Sequence, residues 1–122
     1  ASHHGGREER IMDFNKICQY RIGVLPYFLE KMKNTMEGDQ SLLEKTAIIW
    51  GSPMADANIH NHRRCPLVFL GHANGQLEGN LHVKAEDGAP MANAMLTLMH
   101  KLGMEDLESF GDSNGELSLT AP

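Results

Sequence analysis

An apolar stripe runs through the first third of the chain. Ile11, Phe14, Cys18, Ile22, Leu25, Leu29, Met32 and Met36 follow one another at intervals of three and four, which places them on one face of a helix. Pro26 lies inside the stripe. Proline lacks a backbone N–H and its ring clashes with the preceding turn, so it kinks a helix or divides it in two. The pattern predicts one long helix over residues 8–36, kinked near Gly23–Pro26. Glu37-Gly38-Asp39 would close it, with Gly38 as a left-handed cap. A second helix is expected over 90–102. Pro90 starts it, Met91, Ala94, Met95, Leu98, Met99 and Leu102 form its apolar face, and Gly103 ends it. His100 and Lys101 fall in its last turn, where positive charge complements the helix dipole.

Two short apolar runs, 46–51 and 66–71, read as strands. Both are continuous rather than alternating, as in strands covered on two faces by the helices of a parallel sheet. The expected fold is therefore α/β: part of a three-layer α/β/α arrangement with a short, mostly parallel sheet. The two strands would lie adjacent and parallel, although their connection is barely long enough for a crossover. Residues 80–85 alternate and could add an edge strand. The domain would span 1–122, with 1–6 flexible and 104–122 an irregular tail. Five of the eight methionines sit on the helical stripes, where they fill core space.

The chain has 122 residues, 41% of them hydrophobic and 22% charged, with a formal net charge of −5. One domain with a real core is within reach at this length. The acidic balance argues against nucleic acid as a partner, because phosphate neutralisation needs a basic face. No apolar run has the length of a membrane span. The first six residues hold no apolar signal region, and the sequence does not start with methionine. A processed or fragmentary chain is the expectation. Exposed strand edges and helix stripes should then be covered by another protein chain or by a missing N-terminal region. Cys18 and Cys65 are open to two readings, one disulfide or two buried thiols.

Asp56-Ala57-Asn58-Ile59-His60-Asn61-His62-Arg63-Arg64 is the segment that can carry chemistry. It follows the C-terminal end of a strand, where open α/β sheets bind ligands. Asp56, His60 and His62 offer a carboxylate and two imidazoles, a donor set suited to zinc or another divalent transition metal. Arg63 and Arg64 can hold an anion by forked hydrogen bonds. Metal plus arginine is what phosphate or sulfate ester hydrolysis uses. The competing reading is a solvated polar loop whose histidines bond to backbone. His3-His4 form a second candidate pair. No P-loop, dinucleotide, HExxH or GxSxG signature is present.

Longer stretches carry a family resemblance. These are Ala1-Ser2-His3-His4-Gly5-Gly6, Phe28-Leu29-Glu30-Lys31-Met32-Lys33, the run Gly51-Ser52 to His62 with Met54, Asp56, Asn58 and His60, Gly88-Ala89-Pro90-Met91-Ala92-Asn93, and Ser109-Phe110-Gly111-Asp112-Ser113. Together they resemble the C-terminal part of a bacterial family called domain of unknown function 1552. That family is similar to the alkaline-phosphatase-like superfamily. The resemblance implies a three-layer α/β/α fold, export to the periplasm or cell surface, and metal-dependent hydrolysis. It also implies a late metal-binding histidine six positions before a proline-led strand, an offset that His60 and Pro66 match. Asp56 matches an aspartate ligand more loosely. The superfamily's Asp-His-Gly is replaced by Gly51-Ser52-Pro53, and Ala57 stands where the family has glycine. The nucleophile and early ligands would belong to an N-terminal part. Two functions follow: a piece of an exported metal-dependent hydrolase, or a non-catalytic accessory subunit of a larger complex.

Overall fold

The computed structural model describes residues 1–119. The last three residues of the expected tail, 120–122, lie outside the described residues. The elements are α1 (Glu8–Gly23), α2 (Leu25–Asn34), β1 (Met36–Glu37), β2 (Gln40–Ser41), α3 (Leu42–Lys45), β3 (Ile48–Gly51), β4 (Leu67–Leu70) and α4 (Met91–Lys101). The fold is mixed α/β, and no helix among the described residues is long and apolar enough to cross a membrane. The chain divides into two compact units, one of 1–43 and 51–68, the other of 44–50 and 69–122.

In the first unit, Pro26 divides the expected long helix rather than bending it. It sits in the first turn of α2, where a missing N–H leaves no hydrogen bond unmade. Val24 joins the two helices in a helical conformation (φ −83°, ψ −18°). Glu8 and Glu9 lie in the first turn of α1 and Arg21 in its last, each complementing the helix dipole. Neither α1 nor α2 has a buried residue. The helical pattern stops at Asn34, short of Met36. Met36–Glu37 instead pairs antiparallel with Gln40–Ser41 through a two-residue turn. Gly38 takes φ +69° at the first turn position, so it serves a hairpin and not a helix cap.

The parallel sheet is not formed. β3 and β4 are neighbours in a two-stranded sheet, but they run antiparallel. The end of β3 lies against the start of β4: Ser52 N–H donates to the Pro66 carbonyl at 3.1 Å, and a Cβ on Gly51 would meet Leu67 Cα at 3.2 Å. The reason is the connection. Residues 52–66 contain no helix, and without a helical crossover the chain can only return as a hairpin. A two-stranded sheet also has no second covering layer. Ile49 and Val68 are therefore exposed while Ile48 and Trp50 are half-buried, the alternation of a one-sided sheet. Residues 80–85 form no strand.

In the second unit, α4 begins after Pro90 as expected and buries Ala92, Asn93, Ala94, Leu96, Thr97 and Leu98. Leu98 packs with Ala73 and Leu77, flanked by Ala47, Phe69 and Leu119. The segment leading into this cluster is tied down by backbone bonds, Ala73 N–H to the Thr46 carbonyl at 3.1 Å and Asn74 N–H to that of Glu44 at 2.8 Å.

Candidate functional site

The 52–65 loop is built from short polar turns. Ser52 Oγ donates to the Met54 carbonyl at 2.8 Å and accepts the Met54 N–H at 3.1 Å. Beyond it the chain doubles back. Asn61 N–H donates to the Asp56 carbonyl and Ala55 N–H to that of Asn61, both at 2.9 Å, so residues 57–60 form the tip. Asp56 Oδ1 accepts the Asn58 N–H at 2.9 Å, the local bond that makes aspartate a turn residue. His60 takes φ +53°, the left-handed region that few side-chain-bearing residues visit outside turns.

This tip meets the N-terminal segment. Asn58 Oδ1 accepts the Gly5 N–H at 2.8 Å. His60 Nε2 faces His3 Nε2 at 3.2 Å, with ring centroids 4.7 Å apart and planes at 69°. The two rings thus present their Nε2 edges to each other across 57 positions of sequence. A neutral pair of this kind shares one proton as an N–H···N bond. The same separation also fits a shared metal: two imidazole nitrogens on one tetrahedral zinc stand roughly 3.3 Å apart. Beside them, His4 Nδ1 accepts the Gly6 N–H at 3.1 Å.

The sequence-derived triad is not gathered. Asp56, His60 and His62 are all exposed, and His62 turns away from the tip. Its Nδ1 lies 2.7 Å from the Pro53 carbonyl. A carbonyl only accepts, so Nδ1 carries a proton, and in the neutral ring the lone pair is then on Nε2. That tautomer is the one a metal-binding histidine uses. Cys65 Sγ shares the same carbonyl at 3.0 Å and reaches the His62 carbonyl at 3.2 Å. Cys18 and Cys65 are both free thiols, and each is half-buried rather than enclosed in a core. Arg63 and Arg64 are exposed beyond the tip. Arg63 N–H is fixed by Asn61 Oδ1 at 2.9 Å. Among the described residues no group of three or more His, Cys, Asp or Glu side chains is arranged to hold a metal ion.

The second unit holds a polar constellation that the sequence pattern did not single out. Asn93, Thr97 and His100 lie at helical spacing on α4 and bind the tail. Asn93 Nδ2 donates to Asn114 Oδ1 at 2.9 Å, and Asn114 N–H returns to Asn93 Oδ1 at 3.0 Å. Thr97 Oγ1 accepts the Leu117 N–H at 2.9 Å. His100 contacts both the Glu116 carboxylate and the Leu107 carbonyl. Its only signal in sequence was its place on the helix, and no local pattern reveals partners 7 and 16 positions downstream.

No family model, curated protein or solved structure matches the chain.

Proposed function

We propose that the first unit holds a divalent transition metal between His3 and His60, and that the chain acts as part of an exported phosphatase- or sulfatase-like hydrolase. The observation that carries this reading is the approach of the two Nε2 atoms to 3.2 Å, a separation suited to two ligands of one zinc ion. A hydrolytic zinc has three protein ligands and keeps one position for water. Asp56, in the same turn as His60, would be the third ligand in this reading. His62 supports the loop from the Pro53 carbonyl with its Nε2 available. The metal would polarise a phosphoryl or sulfuryl oxygen and activate water, and Arg63 and Arg64 would steer the anionic group. The resemblance to domain of unknown function 1552 points the same way, including export.

Zinc binding measured by competition with a chromophoric chelator tests the reading, together with hydrolysis of aryl phosphate and aryl sulfate esters. One zinc per chain is expected. His3→Ala and His60→Ala should each abolish it, and Asp56→Asn should weaken it about 10- to 100-fold. Affinity should fall with acidification, because a proton competes with the metal for each imidazole nitrogen. Zinc uptake unchanged by His60→Ala, or none by the wild-type chain, overturns the assignment.

A second reading, a non-catalytic subunit seated on another protein chain, is favoured by a different observation. α1 buries nothing, and Ile11 and Ile22, which share its apolar stripe, are 41% and 53% exposed, which leaves that stripe open to a partner. The solution mass of the same preparation tests it: a monodisperse, cooperatively folding monomer of 13.5 kDa speaks against a required partner.

A further inference from the structure

His100 sits between two acceptors. Its Nδ1 lies 2.5 Å from Glu116 Oε1 and its Nε2 lies 2.8 Å from the Leu107 carbonyl. A neutral imidazole has one N–H. It can donate to the carboxylate or to the carbonyl, but not to both, and the unserved contact would set a nitrogen lone pair against an oxygen lone pair. Only the imidazolium, with a proton on each nitrogen, satisfies the arrangement as it stands. The side chain is 21% exposed, so it is screened from bulk water without being sealed from proton exchange.

The surrounding charges lean the same way. The Leu107 carbonyl, the Glu116 carboxylate and, less strongly, the negative charge of Glu105 hold the His100 pKa above its ordinary value against a smaller opposing effect of burial. Lys101, next on the helix, is engaged elsewhere, its Nζ donating to the Gln76 carbonyl at 3.1 Å. His100, Glu116, Glu105, Lys101, Gln76 and Thr97 line one open cavity of about 510 Å³. Of the returning chain, Glu105 and Glu116 form part of its wall.

The other ties between helix and tail do not titrate. Asn93 holds Asn114 and Thr97 holds Leu117, which fixes the chain at the far end of the segment. Within 104–113 the remaining bonds are local: Leu107 N–H to the Met104 carbonyl, Ser113 N–H to that of Phe110, and Phe110 N–H to Ser113 Oγ. At its start the loop is hinged to α4 by the Met104 N–H bond to the Met99 carbonyl, 3.0 Å long; beyond Met104, the bond that ties it to the helix in the pattern described above is the His100 Nε2 contact.

We propose that His100 is a proton-dependent latch: as the imidazolium it clamps Leu107 and Glu116 to the end of α4, and on losing a proton it releases the part of 104–113 beyond Met104 from the helix end. The sign follows from linkage. The closed state holds the proton more tightly than the open one. The latch is complete below the ordinary histidine value of 6.5 and is lost as pH rises through the raised value.

Two measurements on the full chain test this. NMR titration of the His100 ring should give a pKa above the ordinary histidine value of 6.5. Glu116→Gln should move it back toward the ordinary value. Amide hydrogen exchange over 104–113, corrected for its intrinsic pH dependence, should accelerate across the window between the two values, by up to about tenfold for each pH unit it spans. Amides of α4 should show no such step. His100→Asn should remove the step and leave the loop in one pH-independent state. The proposal is overturned if His100 titrates at an ordinary value in the wild type, if 104–113 exchanges without the pH step, or if the step survives in His100→Asn.

Discussion

Replacing Gly51 with alanine should separate β3 from β4 at the base of the histidine loop. A Cβ on Gly51 would stand 2.5 Å from the Pro66 carbonyl oxygen, 3.2 Å from Leu67 Cα and 3.3 Å from Leu67 Cδ1. The first two are backbone atoms and have no rotamer by which to withdraw. The strands must move apart, at an overpacking cost of about 1–3 kcal/mol. The Ser52 N–H bond to the Pro66 carbonyl, 3.1 Å long, lengthens with them and removes about 0.5–1.5 kcal/mol more. Against this, alanine restricts the unfolded chain and returns about 0.4–1 kcal/mol. The net expectation is a loss centred on about 2 kcal/mol, or a melting temperature lower by roughly 10 °C in a chain of this size. The chain's one tryptophan, Trp50, adjoins Gly51 and is half-buried, so urea unfolding followed by its fluorescence is the direct assay. An unchanged denaturation midpoint with an unchanged slope would refute the close approach of β3 to Pro66, and with it the antiparallel pairing.

Gly23 supplies the opposite case. It lies at the end of α1 with nothing within 4 Å of an added Cβ and no left-handed φ, so Gly23→Ala should stabilise by about 0.4–1 kcal/mol, seen as a higher urea midpoint. Thr97→Val should destabilise by about 1–3 kcal/mol, because Thr97 is 4% exposed and the Leu117 N–H it serves would be left without a partner. Thr97→Ser should recover most of that loss in thermal melts, since it keeps the hydroxyl.

Much of the local structure was legible in the residues. Pro26 marks the break between two helices because a missing N–H is tolerated in a first turn and nowhere deeper. α4 runs from Met91 to Lys101, within a residue of its predicted start and end, because its apolar spacing, leading proline and closing glycine all agree. The positions of β3 and β4 follow from their apolar runs. Each of these is an interaction within about four residues, or a choice between backbone conformations that one residue makes alone.

The tertiary structure decided the rest. Continuous apolar runs do not state whether two strands lie parallel, and the helix-free connection made them a hairpin. The resemblance had pointed to His60 as a ligand, but His60 meets His3 across 57 positions and not His62 two positions on. His62 is drawn instead to the Pro53 carbonyl. His100 looked like an ordinary last-turn histidine until the tail returned with a carboxylate on one side and a carbonyl on the other. Sequence determines which groups a residue offers and how its own backbone bends. Which distant group meets that offer depends on how the chain closes on itself, and no periodicity along the chain encodes it.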